Sequence, residues 1–377
     1  MTRWVLLSGE FPPDPGGVAD YTRAVSEGLA RRGHEIHVVA PRSRRGAAPA
    51  GLARVHLLSD TFGPRGLLEL SSLVRELRPE RLFVQYVPHA FGYKALNLGF
   101  CAWLLSQSRR AAVWTQFHEV AYPYQGPPWR RTNLLAAGHQ AMAALVSRAS
   151  ERRFMTTKLW ERPLTRWDPT PPTWLPVPSN VATDPNPEGA AEWRSRLGLG
   201  PEVPLVGHFG NYGRLLGPLI RETIPLFLTQ APHAHVLLLG RSAPEFLAGL
   251  RAEQAWLGRR VHAPGALSAE DLGAAVQACD LLLQPYEDGV TSRRGSLMAA
   301  LAVGASVLTT ESPHTDPLWR ESGALALGPF APGPLATRAA TLLSTPAQRQ
   351  ALGARASALY AETFALERTL DRLEAAL

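Results

Sequence analysis

Cysteine is almost missing from this chain: Cys101 and Cys279 are the only two in 377 residues. That scarcity excludes a disulfide framework, and the apolar neighbours of both thiols predict small buried side chains in a reducing compartment. No apolar run approaches the roughly 20 residues that a membrane-spanning helix needs. The opening MTRWVLLSGE runs straight into a short strand and lacks the long apolar region of a signal peptide, so a cytoplasmic protein is expected. His118-Glu119 lacks the second histidine of a zincin, and no Asp-x-Asp pair is present, so neither a metal nor a cofactor is expected. His34-x-x-His37 straddles a turn and a strand start and reads as surface. Zinc-finger spacing and aromatic-interleaved basic strands are absent, which excludes the common nucleic-acid modules. Lysine is as rare as cysteine. Lys94 and Lys158 leave arginine as the other 37 of 39 basic residues.

What is present is a soluble composition, 45% hydrophobic and 19% charged, with a net charge of +7. A chain of this length exceeds one ordinary core, so two domains are expected. The arginine-rich charge suits anionic substrates, phosphates or lipid headgroups. A hydrophobic and basic stretch near Trp103, Arg109–Arg110 and 129–131 would suit a lipid-linked acceptor and peripheral contact with the inner face of a membrane.

Along the chain, short apolar strands alternate with segments of helical spacing. Strands are predicted near 4–8, 34–40, 55–58, 82–86, 112–117, 154–157 and 173–177, with helices over 18–33, 67–77, 93–109 and 131–149. A Pro/Thr/Asn-rich stretch at 168–187 reads as a hinge. The pattern then restarts, with strands near 203–208, 235–240, 261–263, 280–284 and 305–309. Helices are predicted over 219–228, 244–255, 268–278 (Ser268 as N-cap), 296–303, 334–343 and 346–377. Such alternation predicts an α/β chain of two doubly wound, Rossmann-like domains facing a cleft. The expected boundaries are 1–182, 183–355 and a terminal helix 356–377.

Chemistry concentrates in three loops. EFPPDPGG places Gly16 and Gly17 at a βα junction, where backbone can approach a diphosphate or sugar. Gly207, Gly210 and Gly213, followed by Arg214, open the second domain in the same way without the dinucleotide G-x-G-x-x-G. Between two apolar runs, LLLQPYEDGVTSRRGSLMAALAVGASVLTT carries Glu287, Asp288, Gly289, Thr291, Ser292, Arg293, Arg294 and Ser296 directly ahead of a helix. Strand, glycine/serine/arginine loop and helix N-terminus make an anion site, with two adjacent exposed cations inviting an anion between them. Glu311, past the next strand, could accept sugar or ribose hydroxyls. His118 ends a strand among Trp114 and Phe117.

With these motifs in hand, the chain resembles family-4-type retaining glycosyltransferases of the GT-B fold. The resemblance rests on LLSGEFPPDPGGVADYTRAVSEGLARRGHEIHVV, LPVPSNV, VGHFGNYGR and LSAEDLGAAVQACDLLLQPYEDG with MAALAVGASVLTT. It implies transfer of a sugar from a nucleotide-diphosphate sugar, held by the C-terminal domain, to a glycan, lipid-linked or small-molecule acceptor. It also implies retention, metal independence, a terminal helix crossing back to the first domain, and a place in bacterial polysaccharide synthesis. By motif position, Gly16 and Gly17 would lie near the donor phosphate, His118 near the donor sugar and Arg214 near the phosphates, while 264–267 would abut the nucleobase. The family's paired glutamates fall at Thr291 and Ala299, so the resemblance departs there. Arg293 and Arg294 are then expected to grip the diphosphate, with Ser296 donating. Two alternatives stand beside this reading: a catalytically silent GT-B-fold scaffold protein, and a sugar-nucleotide epimerase.

Overall fold

The computed structural model describes residues 1–127, 129–181 and 184–377, with Tyr93 described by its backbone alone. The chain forms two compact units, Met1–Val177 with Leu366–Leu377, and Pro178–Ala365. The boundary expected at 182/183 lies outside the described residues.

The first unit runs β1 (Arg3–Ser8), α1 (Gly17–Arg31), β2 (Glu35–Pro41), β3 (Arg54–Leu58), α2 (Pro64–Leu77), β4 (Arg81–Tyr86), α3 (Leu98–Gln107), β5 (Ala112–Phe117), α4 (Arg131–Ala149), β6 (Arg152–Met155), α5 (Glu161–Thr165) and β7 (Thr173–Trp174). Its strands are all parallel, in the order β3-β2-β1-β4-β5-β6-β7. The unbroken apolar run Trp4–Leu7 belongs at the centre of such a sheet, because helices cover both faces. Val5 and Leu7 enter one core, and Trp4 and Leu6 the other. The helix expected from residue 93 starts instead at Leu98. Asn97 caps it, accepting from Phe100 N at 2.9 Å and donating to the Phe62 and Phe91 carbonyls. His37 is buried rather than superficial, held between Glu35 and His56.

The second unit contains α6 (Pro187–Arg196), β8 (Leu205–Phe209), α7 (Gly217–Gln230), β9 (His235–Leu239), α8 (Ala243–Glu253), β10 (Val261–Gly265), α9 (Ala269–Gln277), β11 (Leu281–Gln284), α10 (Gly295–Ala302), β12 (Val307–Thr310), α11 (Pro317–Glu321), β13 (Ala326–Gly328), α12 (Pro332–Leu343) and α13 (Pro346–Leu359). The parallel order is β10-β9-β8-β11-β12-β13. Ser268 caps α9 as its spacing predicts, accepting from Asp271 N at 3.0 Å. Three elements escape the sequence pattern. Helix α6 begins inside the stretch read as a hinge, with Asn186 as cap and Pro187 in its first turn. Helix α11 and the three-residue β13 are too short to show a period.

The C-terminal segment corrects a further expectation. Residues 346–377 are not one helix: a π-turn over Tyr360–Phe364 follows α13, Ala365 is extended, and α14 (Leu366–Ala375) then starts afresh. Side chains enforce the break. Phe364 is fully buried and stacks on Trp319 at 5.5 Å, and the Tyr360 hydroxyl accepts from Ser179 N at 3.1 Å. Helix α14 joins the first unit, where Leu370 fills space beside Gly28 of α1 that a Cβ would need. Arg32 binds three acids of α14: Glu367, Asp371 at 2.9 Å and Glu374 at 2.6 Å.

Candidate functional site

In an open parallel sheet the strand order reverses at one point, and the loops leaving that point at the carboxyl ends form the natural binding crevice. In the first unit the reversal lies between β1 and β4. Ser8, Gln85 and Gln116 share one register there across β1, β4 and β5, and all three are buried. Tyr21 of α1 donates to Gln116 Oε1 at 2.6 Å, and Gln116 donates in turn to the Leu175 carbonyl at 3.0 Å. His118 stands one step beyond this row, its Nε2 2.9 Å from Gln85 Oε1 and its ring edge-on to Tyr21. That pairing makes Nε2 the protonated nitrogen. Burial pushes the His118 pKa down to about 3, so the ring is neutral at ordinary pH. The Gln85 amide nitrogen is buried without a hydrogen-bond partner among the described residues.

The glycine loop holds an unexpected carboxylate. Glu10 Oε1 accepts from Ala19 N at 3.1 Å, in the first turn of α1. A Cβ on Gly16 would lie 2.3 Å from the same oxygen, whereas one on Gly17 would meet nothing within 4 Å. The N-terminus of α1, where the sequence points to a diphosphate, is therefore served by the chain's own acid. Burial raises the Glu10 pKa, and the Ala19 and Val18 amides oppose that rise.

In the second unit the reversal lies between β8 and β11. The loop after β8 carries Gly210 and Arg214. Gly210 N–H bonds to the Leu239 carbonyl, and Arg214 is exposed with no ion-pair partner among the described residues. Tyr212 anchors this loop from beneath, its hydroxyl 3.2 Å from both the His208 and Leu239 carbonyls.

The loop after β11 is laced to the one after β12. Tyr286 N donates to Thr310 Oγ1 at 2.7 Å, Ser312 Oγ to the Asp288 carbonyl at 2.6 Å, and Ser292 N to Asp316 Oδ2 at 2.7 Å. Gly289 has φ +83°, and a Cβ there would lie 2.5 Å from both the Ser312 and Thr315 hydroxyls, so only glycine fits. Thr291 and Ser292 are buried, while Ser296 at the start of α10 meets the Tyr286 hydroxyl at 2.9 Å. Burial pushes the Tyr286 pKa up to about 12.

The arginine pair differs from expectation. Arg293 and Arg294 are not two exposed, unpaired cations: both are three-quarters buried and both reach Asp288, Arg293 at 3.4 Å and Arg294 in closer contact. Arg294 also lies 4.8 Å over the Tyr286 ring, and burial lowers its pKa. Glu287 beside them is exposed, and Glu311 pairs with Arg320 at 3.0 Å.

Of the residues singled out from sequence, Glu287 to Ser296 thus lie in one laced loop, with Gly210 and Arg214 on the neighbouring loop across the switch point. Gly16, Gly17 and His118 belong to the first unit. Sequence reasoning overlooked Glu10, Tyr21, Gln85, Gln116, Tyr286 and Asp316. The signal for the two glutamines was there: each is a polar residue near the end of an otherwise apolar strand, RLFVQY and AVWTQF.

Residues 15–158 match Glycosyltransferase Family 4. The chain has the GT-B fold, and its first unit carries that family match. Sucrose-phosphate synthase from Thermosynechococcus elongatus is 18% identical with a TM-score of 0.75, the match covering 100% of this chain and 98% of that one. Anabaena HepE, solved with UDP and glucose, is 15% identical at a TM-score of 0.71, covering 100% and 99%. A putative UDP-N-acetylglucosamine 2-epimerase from Listeria monocytogenes is 13% identical at 0.65, covering 100% and 95%. What this chain shares with those structures is the fold. No curated protein matches its sequence. Among the described residues no helix is long and apolar enough to cross a membrane, and no cluster of three metal-ligating side chains occurs.

Proposed function

We propose that this chain is a glycosyltransferase, moving a sugar from a nucleoside-diphosphate sugar, held on the second unit, to an acceptor hydroxyl with retention and without a metal. The observation that carries the reading is the loop after β11. Two guanidiniums stand at the N-terminus of α10, beside the switch point, on a loop made stiff by its bonds to the next one. In the transfer, the bond from the anomeric carbon to the β-phosphate oxygen breaks and a bond to the acceptor oxygen forms. The electron pair leaves with the diphosphate, whose oxygen takes the acceptor proton. Arg293, Arg294, Arg214 and the α10 amides would stabilise that growing negative charge, the part a metal plays elsewhere. His118 is cast as a positioning residue for the sugar, since a neutral ring whose Nε2 proton is held by Gln85 is a poor proton donor. The two free cysteines support a reducing, cytoplasmic setting.

Preorganised charge of this kind supplies several kcal/mol, so Arg293→Ala or Arg294→Ala should lower turnover about 100-fold or more. Calorimetry with UDP, GDP and ADP comes first. Binding of none of them would leave the silent-scaffold reading, and wild-type turnover in both variants would remove the arginines from the chemistry.

A further inference from the structure

The net charge of the chain is concentrated in one stretch of the first unit. Between Arg81 and Ser150 there are seven arginines and lysines and a single acid, Glu119, which accounts for six of the seven net positive charges. The same stretch exposes apolar surface. Helices α3 and α4 pack side by side. Leu98, Ala102 and Leu105 of α3 recur at helical spacing on its open side, and Leu134, Ala137 and Ala141 of α4 do the same. Neither helix contains an acidic residue.

At the carboxyl edge of the sheet this surface ends in an aromatic rim. Trp129 is 83% exposed, Leu134 75% and Tyr124 57%, with Tyr122 and Leu96 beside them. These groups are held together. Leu96 lies against Gly138 of α4, Tyr122 N donates to His139 Nδ1 at 3.2 Å, and Gln125 N donates to Asn133 Oδ1 at 2.9 Å. Lys94, Arg130 and Arg131 are exposed around the rim, and Arg109, Arg110 and Arg148 at the far ends of the two helices.

We infer that this face docks on an anionic phospholipid bilayer, with Trp129 and Leu134 entering the headgroup layer and Arg130 and Arg131 meeting lipid phosphates. Tryptophan and tyrosine favour that layer because each has an apolar body and a polar tip. Surface arginines add attraction to anionic lipid, which counter-ions weaken. A second copy of this chain is a poor occupant, since the facing surfaces would bring like charges together. An exposed apolar patch of this extent has no role in the first unit's own core. The inference stands independently of the reading of the donor site.

The full chain would be sedimented with vesicles of phosphatidylcholine alone and of phosphatidylcholine with phosphatidylglycerol, at low and high salt. Binding is expected to the phosphatidylglycerol vesicles only, and to weaken with salt. The Arg130→Ala/Arg131→Ala pair should lose about 30-fold in partitioning and Trp129→Ala about tenfold, with unchanged thermal unfolding. Leu134→Ser serves as a second probe of the wedge, because that side chain contributes little to the core. Absence of binding to phosphatidylglycerol vesicles, or equal binding by every variant, overturns the inference. So does a dimer of the free protein that Trp129→Ala splits, or a requirement for an acidic protein partner.

Discussion

Arg294 donates to Asp288 while its guanidinium carbon stands 4.8 Å from the Tyr286 ring centre. One carboxylate thus balances two adjacent arginines in the resting loop. Asp288→Asn should remove the negative charge that Arg293 and Arg294 share. We expect nucleoside diphosphate to bind about five- to tenfold more tightly, on the scale of one screened ion pair. The ligand-free protein should lose about 1 kcal/mol, a loss that diphosphate restores. Calorimetry and thermal unfolding with and without UDP, GDP or ADP read both effects. Weaker binding would mean instead that Asp288 aims the guanidiniums.

The neighbouring glycines of the first loop should respond oppositely to alanine. Gly16→Ala drives a Cβ to 2.3 Å from Glu10 Oε1 and pushes the carboxylate off Ala19 N. Losing that helix cap should cost about 1 kcal/mol. Gly17→Ala meets open space in a helical position and should be neutral or slightly stabilising. Equal urea midpoints for the two variants would rule out a capping role for Glu10.

Stability should fall in mild acid. Burial holds the His118 pKa at about 3 and the His208 pKa at about 4, both below the ordinary 6.5. Below about pH 6.5 the unfolded chain takes up protons that these folded rings refuse, so stability drops as pH falls. Each ring contributes a slope of about 1.4 kcal/mol per pH unit until its folded pKa is reached. The expected curve is flat from pH 8 to 7 and steep between 6 and 4. His118→Gln should remove one ring's share of the slope. An unchanged slope in that variant would show that the folded His118 takes up its proton with the unfolded chain.

Arg32→Ala should loosen α14 selectively. Its three acids lose their common partner while Leu370 and Leu373 stay buried, so a loss of about 1 kcal/mol is expected for these partly exposed pairs. Hydrogen exchange should speed several-fold over 366–375 and stay unchanged in the second unit. A uniform change across both units would contradict a local tether.

What the sequence displays is what periodicity and turn chemistry carry. Apolar runs such as Trp4–Leu7 and Leu281–Leu283 announce buried parallel strands, and Ser268 with Asp271 announces a helix start. Helix α6 was hidden because Asn186 and Pro187 are at once hinge-like residues and a good N-cap with a good first position. The break at 360–365 was hidden because its cause, the stacking of Phe364 on Trp319, joins residues 45 apart. For the site, the loops could be located but not their internal partners. Nothing local in EFPPDPGG says that Glu10 turns back onto Ala19, and nothing in EDGVTSRRGS says which of Glu287 and Asp288 meets the arginines.

The interrupted first unit has a consequence for how the polypeptide reaches its final form. The second unit is one continuous segment, Pro178–Ala365, and can close as soon as that segment exists. The first unit waits for Leu370 and Leu373 to cover the α1 side of its core. During synthesis the later segment would therefore be finished earlier, leaving the β1–α1 layer to be sealed last.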